Sequence, residues 1–216
     1  MSVSPQSDGR EIRLVPNVPV GTKLVADRVR DVIDACIHTD SPAADLEAAA
    51  QLIEQATQLL RKRSRDTSLQ VTRSNGGISI NNAIEGPCNP VAPPLTDLAY
   101  VDGETSGCVT FPTAAEGPPG RAHGGLVAAV LDHALGRAVA WTVAAAMTVS
   151  ITVDYRAATP LHQPLCVTAR VVSVDGRKVF AEAEIRYDGQ ITAVAKAIMI
   201  VVAGLPSIAP TAVSLD

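Results

Sequence analysis

Glu116-Gly117-Pro118-Pro119-Gly120-Arg121-Ala122-His123-Gly124-Gly125, running on into Leu126-Val127-Ala128-Ala129-Val130-Leu131-Asp132-His133, is a loop that opens into an apolar helix. The prolines and glycines punctuate the loop, and Leu126, Val127, Val130, Leu131, Leu135 and Val139 then recur at helical spacing, which predicts a helix over 124–143. Such a helix is too apolar to be solvated on any wide face, so a sheet should cover it. Two glycines at its mouth leave backbone N–H groups without intrahelical acceptors and without a Cβ in the way, a place where an oxyanion can approach. Asp132 then stands inside the apolar run, where a carboxylate is costly to desolvate unless it is paired or does chemistry. A salt bridge to Arg137 is the plain alternative.

Working outward, the chain after the helix alternates. Over 147–156, Thr148, Ser150, Thr152 and Asp154 face one way and Val149, Ile151, Val153 and Tyr155 the other, the pattern of a strand with one buried side. Further strands are expected over 165–174, 178–187 and 191–202, with Asp175-Gly176 and Asp188-Gly189 as tight turns that make them antiparallel hairpins. The last of these is nearly all apolar and should lie inside the sheet. Before the helix, two short extended pieces over 95–111 meet at Asp102-Gly103. The class is α+β: an antiparallel sheet around one central helix.

Toward the N-terminus, Leu24, Val25, Val29, Val32, Ile33 and Cys36 mark one amphipathic helix. A second starts after Ser41-Pro42 and runs to the basic cluster Arg61-Lys62-Arg63-Ser64-Arg65, whose cations complement the helix C-terminus. The pair reads as an N-terminal helical hairpin. The resulting organisation is 1–64, a loose arm and the hairpin; 65–94, an irregular linker with turns at Asn75-Gly76-Gly77, Gly86-Pro87 and Pro93-Pro94; 95–203, the main domain; and 204–216, a tail.

Composition narrows the function classes. A net charge of −4 over 216 residues argues against general nucleic-acid affinity. Cys36, Cys88, Cys108 and Cys166 form no C-x-x-C pair and fit a reducing cytoplasm, and residues 1–19 have no apolar core of a signal peptide. The most apolar window contains Asp132, His133 and Arg137, which would be expensive in lipid, so no membrane span is expected. His123 and Asp132 are nine residues apart and fall on opposite helix faces, so they do not make a metal site. No G-x-S-x-G occurs to suggest a serine hydrolase.

With these residues in order, the segment is similar to the hotdog-fold acyl-CoA thioesterases of the PaaI type, above all to the long-chain acyl-CoA thioesterases that carry E-G-P-P-G-x-x-H-G-G. Met147-Thr148, Tyr155, Pro160 and Gly176-Arg177-Lys178 follow at the family's spacing, so the likeness covers 95–202. The resemblance implies a hotdog fold, a homodimer or dimer of dimers, and hydrolysis of an acyl-CoA thioester without a cofactor or metal. Asp132 then corresponds to the catalytic base or nucleophile, Gly124 to the oxyanion donor, Thr148 to the hydroxyl that assists Asp132, and His123 to the residue shaping the turn. Gly125, Asp154, Arg156, Val174, Asp175, Gly176, Arg177 and Lys178 correspond to the CoA-binding positions. Many PaaI-type enzymes have Asn six residues before the His, where this chain has Gly117, as the long-chain branch does; the substrate implied is a medium- to long-chain fatty acyl-CoA. A non-catalytic acyl-CoA-binding module, and a thioesterase for aryl-CoA or carrier-protein thioesters, remain open.

Helix arithmetic adds an independent expectation. Gly124 and Asp132 are eight residues apart, roughly 12 Å along a helix rising about 1.5 Å per residue. One thioester cannot use both from one chain, so two subunits with antiparallel helices should share each site.

Overall fold

The computed structural model describes residues 12–66, 68–71, 78–93 and 95–202. The expected turn at Asn75-Gly76-Gly77 and the tail 204–216 lie outside these residues. Among the described residues there are three α-helices: α1 (Val20–His38), α2 (Ala43–Arg61) and α3 (Gly124–Thr142). Strands β4 (Leu95–Val101), β5 (Glu104–Val109), β6 (Ala146–Tyr155), β7 (Leu165–Asp175), β8 (Lys178–Tyr187) and β9 (Gln190–Val201) form one sheet, antiparallel throughout, in the order β4-β5-β7-β8-β9-β6.

Every strand of this sheet touches α3. The reason is the composition of the helix: Val127, Val130, Leu131, Leu135 and Val139 are fully buried and meet Val109, Leu165, Val167, Val179 and Ile185 from the strands in one core. At roughly 25 cal/mol per Å² of apolar surface, each such side chain contributes about 2 kcal/mol by leaving water. Burying a helix this apolar against a curved sheet is therefore the main driving force for the domain. The tight turns come where Asp-Gly pairs allow positive φ: Asp102-Gly103 joins β4 to β5 and Asp188-Gly189 joins β8 to β9. The apolar last strand, β9, lies inside the sheet between β8 and β6, and β6 forms an edge.

The N-terminal third differs from its sequence reading in two ways. The loose arm and irregular linker contain strands: β1 (Ile12–Val15) runs parallel to β2 (Ser68–Val71), which pairs antiparallel with β3 (Ile78–Ser79). Leu69, Val71, Ile80 and Cys88 make a small core of their own beneath this sheet. Runs of two to four residues carry too little periodicity to read locally, and their pairing is made between distant parts of the chain. Moreover, the helical pair is not closed on itself. No residue of α2 is buried, and Leu52, Ile53, Leu59 and Leu60 on it are exposed, while α1 buries only Ala26. Two of the scattered thiols turn out to be neighbours: Cys108 on β5 stands directly opposite Cys166 on β7.

Candidate active site

The loop before α3 is built by its own backbone. Glu116 accepts the Gly120 N–H through Oε1 at 2.6 Å, and Gly117 N–H donates to the Arg121 carbonyl at 2.9 Å. Gly120 sits at φ +73°, a conformation that glycine adopts without strain. At Gly117 a Cβ would lie 2.9 Å from the His123 Cα, so the loop closes only because this position is bare. His123 N–H donates to the Ala115 carbonyl at 2.8 Å, and the His123 ring then caps α3 by accepting the Gly125 N–H through Nδ1 at 3.0 Å. His123 is thus the N-cap of the helix.

Gly124 occupies the first helical position, where the N–H has no acceptor within the helix. Its carbonyl accepts the Tyr155 hydroxyl at 2.8 Å, and a Cβ on Gly124 would meet the Tyr155 ring at 3.2 Å. The end of β6 therefore pins the first peptide of α3. In the sequence Tyr155 is a match at the family's spacing on an alternating strand, but nothing there gives its hydroxyl a partner.

Two turns further along α3, Asp132 accepts the Thr148 hydroxyl through Oδ1 at 2.7 Å. This carboxylate does not pair with Arg137. Arg137 forms an ion pair with Glu85, and His133 Nε2 approaches the same carboxylate at 3.4 Å. Asp132, Thr148, Glu85, His133 and Arg137 line one cavity of about 400 Å³. Burial pushes the His133 imidazolium down to about 4 against the pull of Asp132, so the ring is neutral at pH 7. Glu85 escaped the sequence reading because it lies in the presumed linker. Asn82 was the available signal: its side chain accepts the Ile84 and Glu85 N–H groups at 2.8 and 3.1 Å, an Asx turn that presents Glu85 to α3.

The proposed CoA-binding residues fall into two groups. Asp154 and Arg156 form an ion pair at 2.9 Å beside Tyr155, at the Gly124 end of the sheet. Val174, Asp175, Gly176, Arg177 and Lys178 form the β7–β8 turn at the opposite end; Lys178 is level with Ile200 on β9, and Ile200 with Met147, next to Thr148. Arg177 Nε donates to the Val201 carbonyl at 3.2 Å. Gly125, with its N–H taken by His123, belongs to the first group. One chain therefore brings together Gly124, Tyr155, Asp154 and Arg156 at one end, and Asp132, Thr148 and 174–178 at the other.

A crystal structure of a thioesterase superfamily protein superposes on this chain with a TM-score of 0.77 at 33% identity, covering 87% of this chain and 94% of that one. The chain belongs to the thioesterase superfamily. The thioesterase superfamily model itself matches residues 119–194, from the end of the proline-glycine loop through α3 into β9. This superfamily's hotdog fold is the sheet around α3 described above. An acyl-coenzyme A thioesterase, THEM4 of Xenopus laevis, is 38% identical over 71 residues, 33% of this chain. The match spans 32% of that relative's length. Among the described residues no three His, Cys, Asp or Glu side chains stand together as metal ligands, and no helix is long and apolar enough to cross a membrane.

Proposed function

We propose that the protein hydrolyses acyl-CoA thioesters to a free acid and CoA, at sites shared between two copies of the chain. The observation that carries this reading is the separation of the two half-sites along α3 and β6. Thr148 and Tyr155 are seven residues apart on β6, roughly 23 Å at about 3.3 Å per residue. β6 is a sheet edge with exposed Met147 and Val149. If two copies pair antiparallel through this edge about a two-fold axis at Thr152, the bulge between Thr148 and Ser150 brings Thr148 opposite the second copy's Tyr155. The same operation brings Asp132 toward the second copy's Gly124, and 174–178 toward its Asp154 and Arg156.

In the reaction, the thioester carbonyl lies at the Gly124 N–H of one copy. Asp132 of the other copy takes a proton from water, and the hydroxide adds to the carbonyl carbon; as the second route, the carboxylate adds directly and water later cleaves the acyl anhydride. Thr148 orients the carboxylate. The oxyanion is held by the Gly124 N–H and the positive end of α3, a contribution of about 3–4 kcal/mol in comparable sites. Collapse breaks the C–S bond, and the CoA thiolate leaves and is protonated. Arg156, Arg177 and Lys178 are the cations offered to the CoA phosphates. The chemistry asks for no metal or cofactor.

The acyl group we assign is an aliphatic chain of medium to long length, as in the branch with the E-G-P-P-G-x-x-H-G-G segment. An apolar cavity of about 260 Å³, lined by Ile33, Val91, Ala92, Pro112, Ala115 and Leu126, lies within a helical turn of Gly124 and supports this class. The deciding experiment follows thiol release from a series of acyl-CoAs. Wild-type protein releases CoA, and Asp132→Ala loses at least about a hundredfold in kcat while still binding the substrate. Equal rates in the two proteins would exclude this mechanism, and binding without turnover by the wild type would make the protein an acyl-CoA-binding module.

A further inference from the structure

The cysteines are scattered in the sequence, but the sheet brings two of them together. Cys36 lies on α1 and Cys88 in the small N-terminal core, whereas Cys108 and Cys166 are direct partners in the β5–β7 ladder. Their neighbours Val109, Leu165 and Val167 point into the main core, so by strand alternation both cysteines leave the sheet on its outer face, and both are exposed. A slip of one residue would carry Val109 and Leu165 into water, which fixes this register. Just beyond the pair, the His162 N–H donates to the Phe111 carbonyl at 2.9 Å, and the His162 ring meets the Thr113 hydroxyl at 3.0 Å. The chain is thus held together where the two strands end.

Opposed residues of an antiparallel ladder have Cα atoms about 4.5 or about 5.5 Å apart, according to their place in the hydrogen-bond pattern. A disulfide accepts Cα separations of about 4.4 to 6.8 Å, so both places fall within reach of a bridge. The same row continues with Thr96 on β4 beside Cys108 and Arg186 on β8 beside Cys166. Desolvation, then Cys108 and the carboxylates of Glu104 and Glu184, push the Cys166 thiol up, and Arg186 offsets them only in part. Cys166 is therefore a protonated thiol at pH 7, which slows its oxidation without preventing it. β5 and β7 also lie apart from the β6 edge that the proposed dimer uses, and that dimer leaves the pair open.

We propose that Cys108 and Cys166 are a redox modification site, closed into an intramolecular disulfide by a low-molecular-weight disulfide such as glutathione disulfide and reopened by thiols. In the first exchange one cysteine, as thiolate, attacks a glutathione sulfur. The glutathione S–S bond breaks, a mixed disulfide forms on the protein, and one glutathione leaves as thiolate and takes a proton. The opposed cysteine, having lost its proton to solvent, attacks the protein sulfur of that mixed disulfide and expels the second glutathione. Two protein thiols are oxidised and one glutathione disulfide is reduced to two thiols. The second exchange is the faster, because its attacking sulfur already stands across the ladder. The bridge closes 109–165 into one covalent loop that contains the proline-glycine segment, α3 and β6.

The test treats the whole protein with glutathione disulfide at about pH 8.5, where more of the thiol is ionised, then blocks the remaining thiols and maps the peptides by mass. In the wild type the peptide holding Cys108 should be joined to the one holding Cys166, with no glutathione on either, and dithiothreitol should restore both thiols. In Cys108→Ser and in Cys166→Ser the resolving thiol is missing, so the cysteine that remains keeps its glutathione. The adduct retained at these positions should be at least about tenfold lower in the wild type than in either variant. Wild-type protein that keeps glutathione at Cys108 or Cys166 as the variants do, or whose two thiols stay unreacted, would overturn the proposal. A link between two chains, seen as a covalent dimer on a non-reducing gel, would overturn it as well. Each variant exchanges a sulfur for an oxygen at an exposed position; should either fail to fold, the wild-type peptide map decides the matter by itself.

Discussion

Gly117, Gly124 and His133 each have an identity imposed by what they touch. A side chain at Gly117 would run into the His123 backbone, which gives a steric reason why an Asn could not stand there without moving the N-cap of α3. Gly124 is bare because Tyr155 covers it. His133 is kept neutral by burial, and this has a consequence for stability. The unfolded chain protonates His133 near 6.5, whereas the folded protein resists until about 4. Between these values the unfolded state binds the extra proton, so the contribution of His133 is complete above 6.5 and is lost as pH falls through 4. The full span corresponds to about 3 kcal/mol. Urea denaturation at pH 7.5 and 5.5 should show the wild type losing part of this at the lower pH, and His133→Gln should flatten the difference; an unchanged slope in the variant would mean that other groups carry it.

Among the elements, β6 has two tasks. On its inner side it supplies Thr148 to Asp132 and Tyr155 to Gly124, and along its free edge it offers the pairing surface that the proposed dimer uses. Thr152 lies at the proposed two-fold axis, opposite its counterpart in the second copy, and is exposed in the single chain. Thr152→Lys would bring two like charges together across the axis, which is destabilising for cross-strand neighbours. Sedimentation velocity should show a monomer where the wild type is a dimer, and kcat/KM for acyl-CoA should fall in step with dissociation. A monomeric variant that keeps full activity would rule out shared sites.

On the scale of the whole molecule, the N-terminal third is tied to the main domain through both cavities. α1 is fastened by Arg30, which donates to the Asn89 carbonyl at 2.7 Å and pairs with Asp27 at 2.8 Å, and this sets Ile33 against the apolar cavity. Filling that cavity with Ile33→Trp should depress kcat/KM for the longest acyl chains while leaving the shortest within about twofold, because shape change in an apolar pocket discriminates by chain volume. A chain-length series that is lowered uniformly, or not at all, would place the acyl tail elsewhere.

Much of this was legible in the sequence, and the physical reason is the same throughout. α3, the four strands after it and the Asp-Gly turns are written in local periodicity and turn chemistry, and the loop with His123, Gly124 and Asp132 is contiguous. The spacing of Gly124 and Asp132 on one helix was enough to separate them into two half-sites. Only the tertiary structure decided what depends on distant parts of the chain meeting: that Arg137 answers to Glu85 rather than to Asp132, that short segments around 12–15, 68–71 and 78–79 close into a sheet, that Cys108 faces Cys166, and that the CoA-binding candidates divide between the two ends of the sheet. Such contacts leave no period in the sequence, because they are selected by the packing of the folded core and not by the conformational preference of any one segment.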